Sequence, residues 1–200
     1  MFSKQISIMN KRTTIARLCI AMPAALLLLA ATGHAHPGHV HEAGDIGWGL
    51  AHPFTGLDHL LAALAAGMLA TLWRRASFVV AFLAAGLLGG IGGATLGAFI
   101  GLESLLLVSV LAFGLVLALR KHVTQSTALG IITIGAAAHG WAHGSEASGA
   151  MSIAGIFLGT AAIVGVGALV TAALQRAPRV VTGLGAGMAL IAFATLAGIL

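Results

Sequence analysis

Long apolar runs alternate with short polar segments along most of the chain, and this pattern sets the predicted architecture. A run of about 20 apolar residues crosses a bilayer as a helix. A strand with open edges would leave backbone groups without partners in lipid, so helices are required. We therefore predict an all-α fold, a polytopic membrane bundle of six transmembrane helices in a domain covering residues 48–200. The predicted spans are residues 48–72, 77–100, 103–119, 126–143, 149–174 and 180–200.

A shorter apolar run near the N-terminus is typical of a secretory signal peptide. Basic residues precede the run at residues 18–31, and Gly33 and Ala35 then place small residues where a signal peptidase cleaves. We predict a cleaved signal peptide at residues 1–35 and a mature N-terminus at His36. Retention of the run as an additional first helix is the alternative.

Glycine accounts for 28 of the 200 residues, and many glycines recur at every fourth position. Small residues at this spacing let helices approach closely in lipid, where no hydrophobic effect drives helices together. We predict helix-packing roles for Gly89, Gly93, Gly97, Gly101, Gly155, Gly159, Gly183 and Gly187. Gly135 and Ala136 are expected, with Ala63 and Ala66, to line a lane through the membrane.

The distribution of charge predicts the orientation of the bundle. The chain has ten Lys and Arg residues, and the six that follow the signal flank alternate spans. They are Arg74, Arg75, Arg120, Lys121, Arg176 and Arg179. Because Lys and Arg concentrate in cytoplasmic loops, we predict a bacterial inner-membrane protein with a periplasmic mature N-terminus. The chain has no basic patch of the kind that binds nucleic acid.

Two clusters of ionisable residues interrupt the apolar spans, where each such residue costs about 2.5–3.5 kcal/mol. The first cluster contains His52, Asp58 and His59 in the first predicted span. On one continuous helix, His52 and His59 would lie about 20° apart around the axis and about 10 Å apart along it. Asp58 would point about 100° away from His59, so it suits the orientation of a ligand imidazole. Pro53 is an alternative start for this helix.

The second cluster closes the fourth predicted span. His139, His143 and Glu146 are spaced four and three residues apart, which places them on one stripe of a helix. Two imidazoles and a carboxylate are a ligand set for divalent Zn, Ni, Co or Cu. His122 and Glu103 are instead expected in a cytoplasmic loop and at a solvated helix start.

The segment between the predicted signal and the first span forms a third candidate site. Residues 36–47 are predicted to be periplasmic and contain His36, His39 and His41, which are candidates to capture a metal at the entrance. The single cysteine, Cys19, lies inside the predicted signal, so a thiolate metal site and a disulfide are excluded from the mature chain.

The two intramembrane clusters resemble the motifs of the HupE/UreJ family of nickel permeases, and the resemblance covers nearly the whole mature chain. The family form H-P-x-x-G-x-D-H matches residues 52–59, and the second signature, H-G-x-A-H-G-x-E, matches residues 139–146. The family usually has an aromatic residue before the second signature, where this chain has Ala138, a difference that removes no ligand. A similar H-x4-D-H motif marks another nickel/cobalt permease family, and the longer spacing here separates the two.

The resemblance implies a secondary permease, not an enzyme, that carries Ni²⁺ from periplasm to cytoplasm and supplies hydrogenase or urease maturation. The residues alone indicate only a borderline divalent metal, so Co²⁺ stays an alternative. The sequence contains no G-x-x-x-x-G-K-[ST] phosphate loop, so we expect facilitated diffusion of the ion, with no permanently bound cofactor. The expected partners are the ion and the lipid bilayer, without nucleic acid, and formation of a homo-oligomer is left open.

Two other functions use the same residue types. A zinc-dependent intramembrane hydrolase would hold its metal with His and Asp and activate a water molecule. A bis-histidine haem protein would use two imidazoles as axial ligands. Retained zinc with turnover of a lipid or peptide would favour the first, and a Soret band in the purified protein would favour the second.

The charge pattern predicts the outcome of topology mapping. Reporter fusions after Arg75, Lys121 and Arg179 should report a cytoplasmic location, because basic loops stay in the cytoplasm. Fusions near Gly101 and Glu146 should report a periplasmic location. A periplasmic signal after Lys121 would contradict the six-span arrangement.

Overall fold

The structure, a computed structural model, describes residues 45–200, and the predicted signal peptide with His36, His39 and His41 lies outside the described residues. Between residues 45 and 200 every secondary-structure element is a helix and there is no strand, which confirms the all-α prediction. The helices are α1 (Ile46–Ala51), a 3-10 helix (His52–Phe54), α2 (Leu57–Trp73), α3 (Ser77–Leu96), α4 (Leu102–Ala118), α5 (Gln125–Glu146), α6 (Ala150–Ala173) and α7 (Pro178–Leu196).

The helices differ in whether their length and hydropathy allow them to cross a bilayer. Three of those described, α3, α6 and α7, are long and apolar enough to do so, and α1 and α2 qualify together as a bent fourth span. α4 is apolar, but its 17 residues extend only about 25 Å. α5 has 22 residues, and its polar C-terminal turns lower its hydropathy. The structure is therefore that of a helical membrane protein, while the count of six spans stays a prediction.

The first predicted span is not one continuous helix. Its two parts are bent by 81° at a break between Phe54 and Leu57. Pro53 lies in the first turn of the 3-10 helix, and Gly56 has an extended ψ of 120° before α2 begins. The Thr55 hydroxyl donates a 2.7 Å hydrogen bond to the His52 carbonyl oxygen. The helical angle predicted between His52 and His59 is therefore wrong, because the two residues belong to different segments.

Glycines make the crossing of α3 and α5 very close. A Cβ atom at Gly140 would collide with the backbone of Gly86, and one at Gly144 would collide with the backbone of Gly90. Both contacts advance in the same direction along the two helices, so α3 and α5 run parallel. Gly89 and Gly93, which were predicted to pack, lie equally close to the α5 backbone, so their predicted role is confirmed. The C-terminal ends of both helices consequently lie at the same end of the bundle.

α1 packs across the N-terminal half of α6, and glycines again allow the two backbones to approach closely. A Cβ atom at Gly155 would collide with backbone atoms of α1, and one at Gly159 would lie against the Leu50 carbonyl group. Gly49 of α1 has equally little space, because the Ser152 carbonyl group lies beside it. The predicted packing role of Gly155 and Gly159 is thus confirmed, and this contact anchors the segment that leads into His52.

Four glycines of the predicted pattern do not pack against a helix. Gly97 and Gly101 have φ angles of 73° and 89°, which L side chains rarely adopt, and they lie in the connection between α3 and α4. Within the described chain, nothing lies within 4 Å of a Cβ built at either position, or at Gly183 or Gly187. The packing role predicted for these four glycines is wrong.

The expected lane of small residues is closed by packing. Ala63, Ala66 and Ala136 are buried members of the main hydrophobic core. The space beside Gly135 is occupied by the ring of Phe113, which a Cβ atom at Gly135 would strike. The prediction of an open lane along these residues is therefore wrong, since apolar side chains fill it.

Two of the basic loops meet at one end of the bundle. The Arg120 guanidinium, just beyond α4, donates hydrogen bonds to the Thr182 hydroxyl at 2.8 Å and to the Pro178 carbonyl oxygen at 3.3 Å. Both acceptors lie in the first turns of α7. The loop after α4 and the loop before α7 therefore lie side by side, as the alternating charge pattern predicts.

The α3–α5 crossing predicts a stability difference between two glycine variants. Gly89→Ala should lower the free energy of unfolding by about 1–3 kcal/mol, because its Cβ would collide with the Ala137 carbonyl group. Gly130→Ala on α5 is the matched control, because nothing lies within 4 Å of its Cβ position. Thermal unfolding of the detergent-purified variants measures the difference, and equal melting temperatures would contradict the close crossing.

Candidate metal site

Both ionisable clusters lie at one end of the bundle, where the break before α2 meets the C-terminal turns of α5. His52 lies just before the break, and Asp58 and His59 lie just after it in the first turn of α2. α5 carries His139, His143 and Glu146. The six residues form two triads, and each triad combines residues of both segments. In each triad, one ligand atom per residue lies within 4.8 Å of the others.

The outer triad consists of His52, His143 and Glu146. His52 Nε2 lies 2.7 Å from Glu146 Oε2, and half of the Glu146 side chain is exposed. Trp48 of α1 stacks on the His52 ring, with centroids 4.4 Å apart. The triad is therefore open to water on its carboxylate side and held in place by an aromatic ring on the other.

The inner triad consists of Asp58, His59 and His139. His59 Nδ1 lies 3.2 Å from His139 Nδ1 and 3.1 Å from Asp58 Oδ2. Donor atoms bound to one ion at about 2.1 Å are ~3.0–3.4 Å apart, so these separations suit a shared ion. The prediction that Asp58 points away from His59 is therefore wrong, although its carboxylate does lie beside an imidazole that it can orient.

The imidazole rings of the two triads are in contact with one another. The His59 and His143 rings meet edge to face, with centroids 4.1 Å apart, and the His52 and His143 centroids are 5.2 Å apart. His143 Nδ1 is buried and has no hydrogen-bond partner in the described chain. Buried polar atoms normally have a partner, so this unpaired nitrogen is a candidate ligand atom for a metal ion.

A cavity of about 370 Å³ opens onto the triads. We call it the vestibule, and its polar lining includes the carboxylates of Asp58, Glu103 and Glu146 together with His52 and His59. Residues of α4 and α7 form its apolar walls. A hexahydrated ion needs roughly 180 Å³ at about 30 Å³ per water, so the vestibule can hold a hydrated divalent cation.

A second and smaller cavity lies on the other side of the histidines. Its volume is about 50 Å³, and His59, His139 and His143 line it together with apolar residues of α3, α5 and α6. His59 borders both cavities. The imidazoles therefore separate the polar vestibule from the smaller apolar cavity.

Several residues at the site were missed by sequence reasoning. Glu103 is exposed in the first turn of α4, as expected, and it also lines the vestibule. Trp48 stands four residues before His52, a helical spacing that was a usable signal. The Ser109 hydroxyl lies 2.9 Å from His139 Nε2, although only its polarity inside an apolar span distinguished it in the sequence. His122, by contrast, lies beyond α4 in the loop before α5, as predicted.

Fold and cluster together define a helical membrane protein with a histidine- and carboxylate-lined site at one end of its bundle. A family model described as HupE / UreJ protein matches residues 24–195. The chain therefore belongs to the HupE/UreJ family, and the resemblance predicted from the two motifs is confirmed.

A curated relative supports the same assignment. Protein HupE of Rhizobium leguminosarum bv. viciae is 35% identical to this chain over 128 residues. The match covers 61% of this chain and 64% of the relative, so it spans slightly less than two thirds of that protein. No solved structure matches the chain.

The stacking of Trp48 on His52 predicts an optical signal for occupancy of the outer triad. Ni²⁺ is paramagnetic, so its binding beside His52 should quench Trp48 fluorescence and saturate with increasing metal. Trp48→Phe should remove the quenched component, and His52→Ala should abolish saturable quenching because a ligand is lost. Zn²⁺, a d¹⁰ ion, should compete for the site without comparable quenching. Saturable quenching that persists in the His52→Ala variant would contradict metal binding at this triad.

Proposed function

We propose that this protein is a secondary permease that carries Ni²⁺, or alternatively Co²⁺, from periplasm to cytoplasm for hydrogenase or urease maturation. The observation that carries the proposal is the pair of adjoining triads between a polar vestibule and a packed apolar core. Membership of the HupE/UreJ family supports the same function. Imidazole and carboxylate donors suit both ions, so ligand type alone does not separate them.

The first step of the proposed path is entry and dehydration. The vestibule contributes three carboxylates, Asp58, Glu103 and Glu146, which attract a hydrated cation. At the outer triad, the ion then exchanges bound water for His52, His143 and Glu146. His36, His39 and His41, in the segment before the bundle, are proposed to collect the ion at low concentration.

The second step is transfer from the outer to the inner triad. The His59 and His143 rings are in contact between the triads, so the ion moves only a few ångströms between ligand sets. Two divalent ions at such a separation would repel strongly, so we propose that one ion occupies the pair at a time. Three ligands from each triad hold the ion less firmly than a closed structural site, which suits release.

The third step requires a change in the bundle. Below the inner triad, Ala63, Ala66 and Ala136 are buried in the core, and Phe113 fills the space beside Gly135. The described arrangement is thus open to the vestibule and closed toward the basic loops. We propose that helices rearrange to open the cytoplasmic side, as in alternating access.

The proposed orientation gives the driving force. We place six spans in the inner membrane, with the bent α1–α2 pair as the first and the vestibule on the periplasmic side. The basic loops, including Arg120 against α7, then face the cytoplasm. An ion of charge 2+ moving inward through −100 mV gains about 4.6 kcal/mol, so diffusion can proceed without ATP.

Uptake of radioactive nickel by cells that express single variants tests this function. Alanine at His59 or His139 should reduce uptake at least about tenfold with protein levels intact, because each removes a ligand from the inner triad. His122→Ala is the matched control, since this histidine lies in a loop remote from the triads. Competition with Co²⁺ and Zn²⁺ measures selectivity. Wild-type uptake no greater than in cells without the protein would reject the permease. Full uptake by the His139→Ala variant would instead reject the inner triad as the ion site.

A further inference from the structure

We propose that Ser109 of α4 is a positioning residue that holds His139 in the tautomer whose Nδ1 is free to bind the transported ion. The proposal rests on the function proposed above and deepens it, since Ser109 belongs to neither triad. Among the six triad residues, the one to which Ser109 is hydrogen-bonded in the described chain is His139. Its role follows from the direction of two hydrogen bonds.

The first hydrogen bond fixes the hydroxyl hydrogen of Ser109. Its Oγ lies 2.7 Å from the Leu106 carbonyl oxygen. A carbonyl oxygen only accepts hydrogen bonds, so the Ser109 hydroxyl must donate its single hydrogen there. The Oγ is left with lone pairs and can only accept from any further partner.

The second hydrogen bond transmits this constraint to the imidazole. Ser109 Oγ lies 2.9 Å from His139 Nε2. With the hydroxyl hydrogen engaged with Leu106, we assign Nε2 as the donor, so that it carries the hydrogen. A neutral imidazole has one N–H, so Nδ1 of His139 then carries a lone pair. That Nδ1 is the atom that lies 3.2 Å from His59 Nδ1 in the inner triad.

Burial of Ser109 and His139 makes the hydrogen bond between them important for the tautomer of His139. Ser109 is 6% exposed and His139 is 4% exposed, so bulk water does not compete for either group. Without the hydroxyl, an Nε2–H would be buried without a partner, which is unfavourable. His139 would relieve that cost by moving its hydrogen to Nδ1, where it faces the other donors and obstructs the ion.

Local packing brings the hydroxyl to this position. Gly135 lies one turn before His139 on α5, and a Cβ atom there would collide with Ser109 Cβ and with the Phe113 ring. The missing side chain lets α4 approach α5 beside His139. Gly135 therefore serves the contact between Ser109 and His139, and not the open lane expected from the sequence.

The first test measures Ni²⁺ affinity of the full-length purified protein by titration calorimetry. Ser109→Ala should weaken binding about 10–100-fold, the range for loss of a group that orients a metal ligand. Ser109→Thr keeps the hydroxyl and should restore most of the affinity. Ser152→Ala is the matched control, because Ser152 is also buried and donates to a carbonyl oxygen three residues back, with no hydrogen bond to a histidine in the described chain. Its affinity should equal that of the wild type.

The second test reads the tautomer directly. Nitrogen-15 spectra of histidine-labelled protein without metal, with His139 identified by loss of its signals in His139→Gln, show which ring nitrogen is protonated. We expect hydrogen on Nε2 in the wild type and in Ser109→Thr. We expect hydrogen on Nδ1 in Ser109→Ala, a shift that a general loss of packing would not produce in one direction.

The outcomes separate this proposal from the function on which it rests. A wild-type protein that binds no Ni²⁺ would reject the permease, whatever the tautomer of His139. Wild-type binding together with equal affinity of Ser109→Ala would overturn the role of Ser109 alone. If Ser109→Ala fails to fold, the wild-type spectrum still decides, because hydrogen on Nδ1 of His139 in that spectrum would overturn the proposal.

Discussion

The close crossing of α3 and α5 is the constraint on which the candidate site depends. Gly140 and Gly144 lie directly against the backbone of α3, where no side chain fits. Each is the neighbour of a histidine, and consecutive residues on a helix are about 100° apart. With the glycine face held against α3, His139 and His143 are turned toward the break before α2 and toward α4. The membrane supplies no hydrophobic effect to hold such a crossing, so the contact between backbones must do so.

A second constraint is the satisfaction of polar groups in an apolar bundle. His139 is almost fully buried, and its two ring nitrogens are paired with Ser109 and His59. His59 is in turn paired with Asp58 at 3.1 Å. These contacts form a continuous chain from the α4 backbone to the vestibule, so each imidazole is held by the next. Nδ1 of His143 does not belong to this chain and has no hydrogen-bond partner among the described residues.

Sequence patterns predicted the elements of this protein better than their mutual placement. The span predicted at residues 149–174 matches α6 (Ala150–Ala173), and the motif residues of both clusters do converge at one end of the bundle. The 81° break was not predicted, because it depends on how Pro53 and Gly56 combine in three dimensions. The exchange of partners between clusters was also out of reach. It depends on which face of α5 turns toward α2, and the crossing of α5 with α3 decides that.

The hydrogen bonds of the inner triad also bear on how a permease releases its ion. In the arrangement described, His59 Nδ1 lies within hydrogen-bond distance of both Asp58 and His139, so the ligand atoms satisfy one another. An ion entering the triad would replace these hydrogen bonds instead of filling a set of unpaired donors. Its net affinity is lowered by the interactions that it displaces, because those atoms are already paired when the ion is absent. A structural metal site gains affinity when its ligands have no other partner in the absence of the metal. A transport site, by contrast, must let the ion leave. The proposed path meets that requirement with ligands that can return to one another.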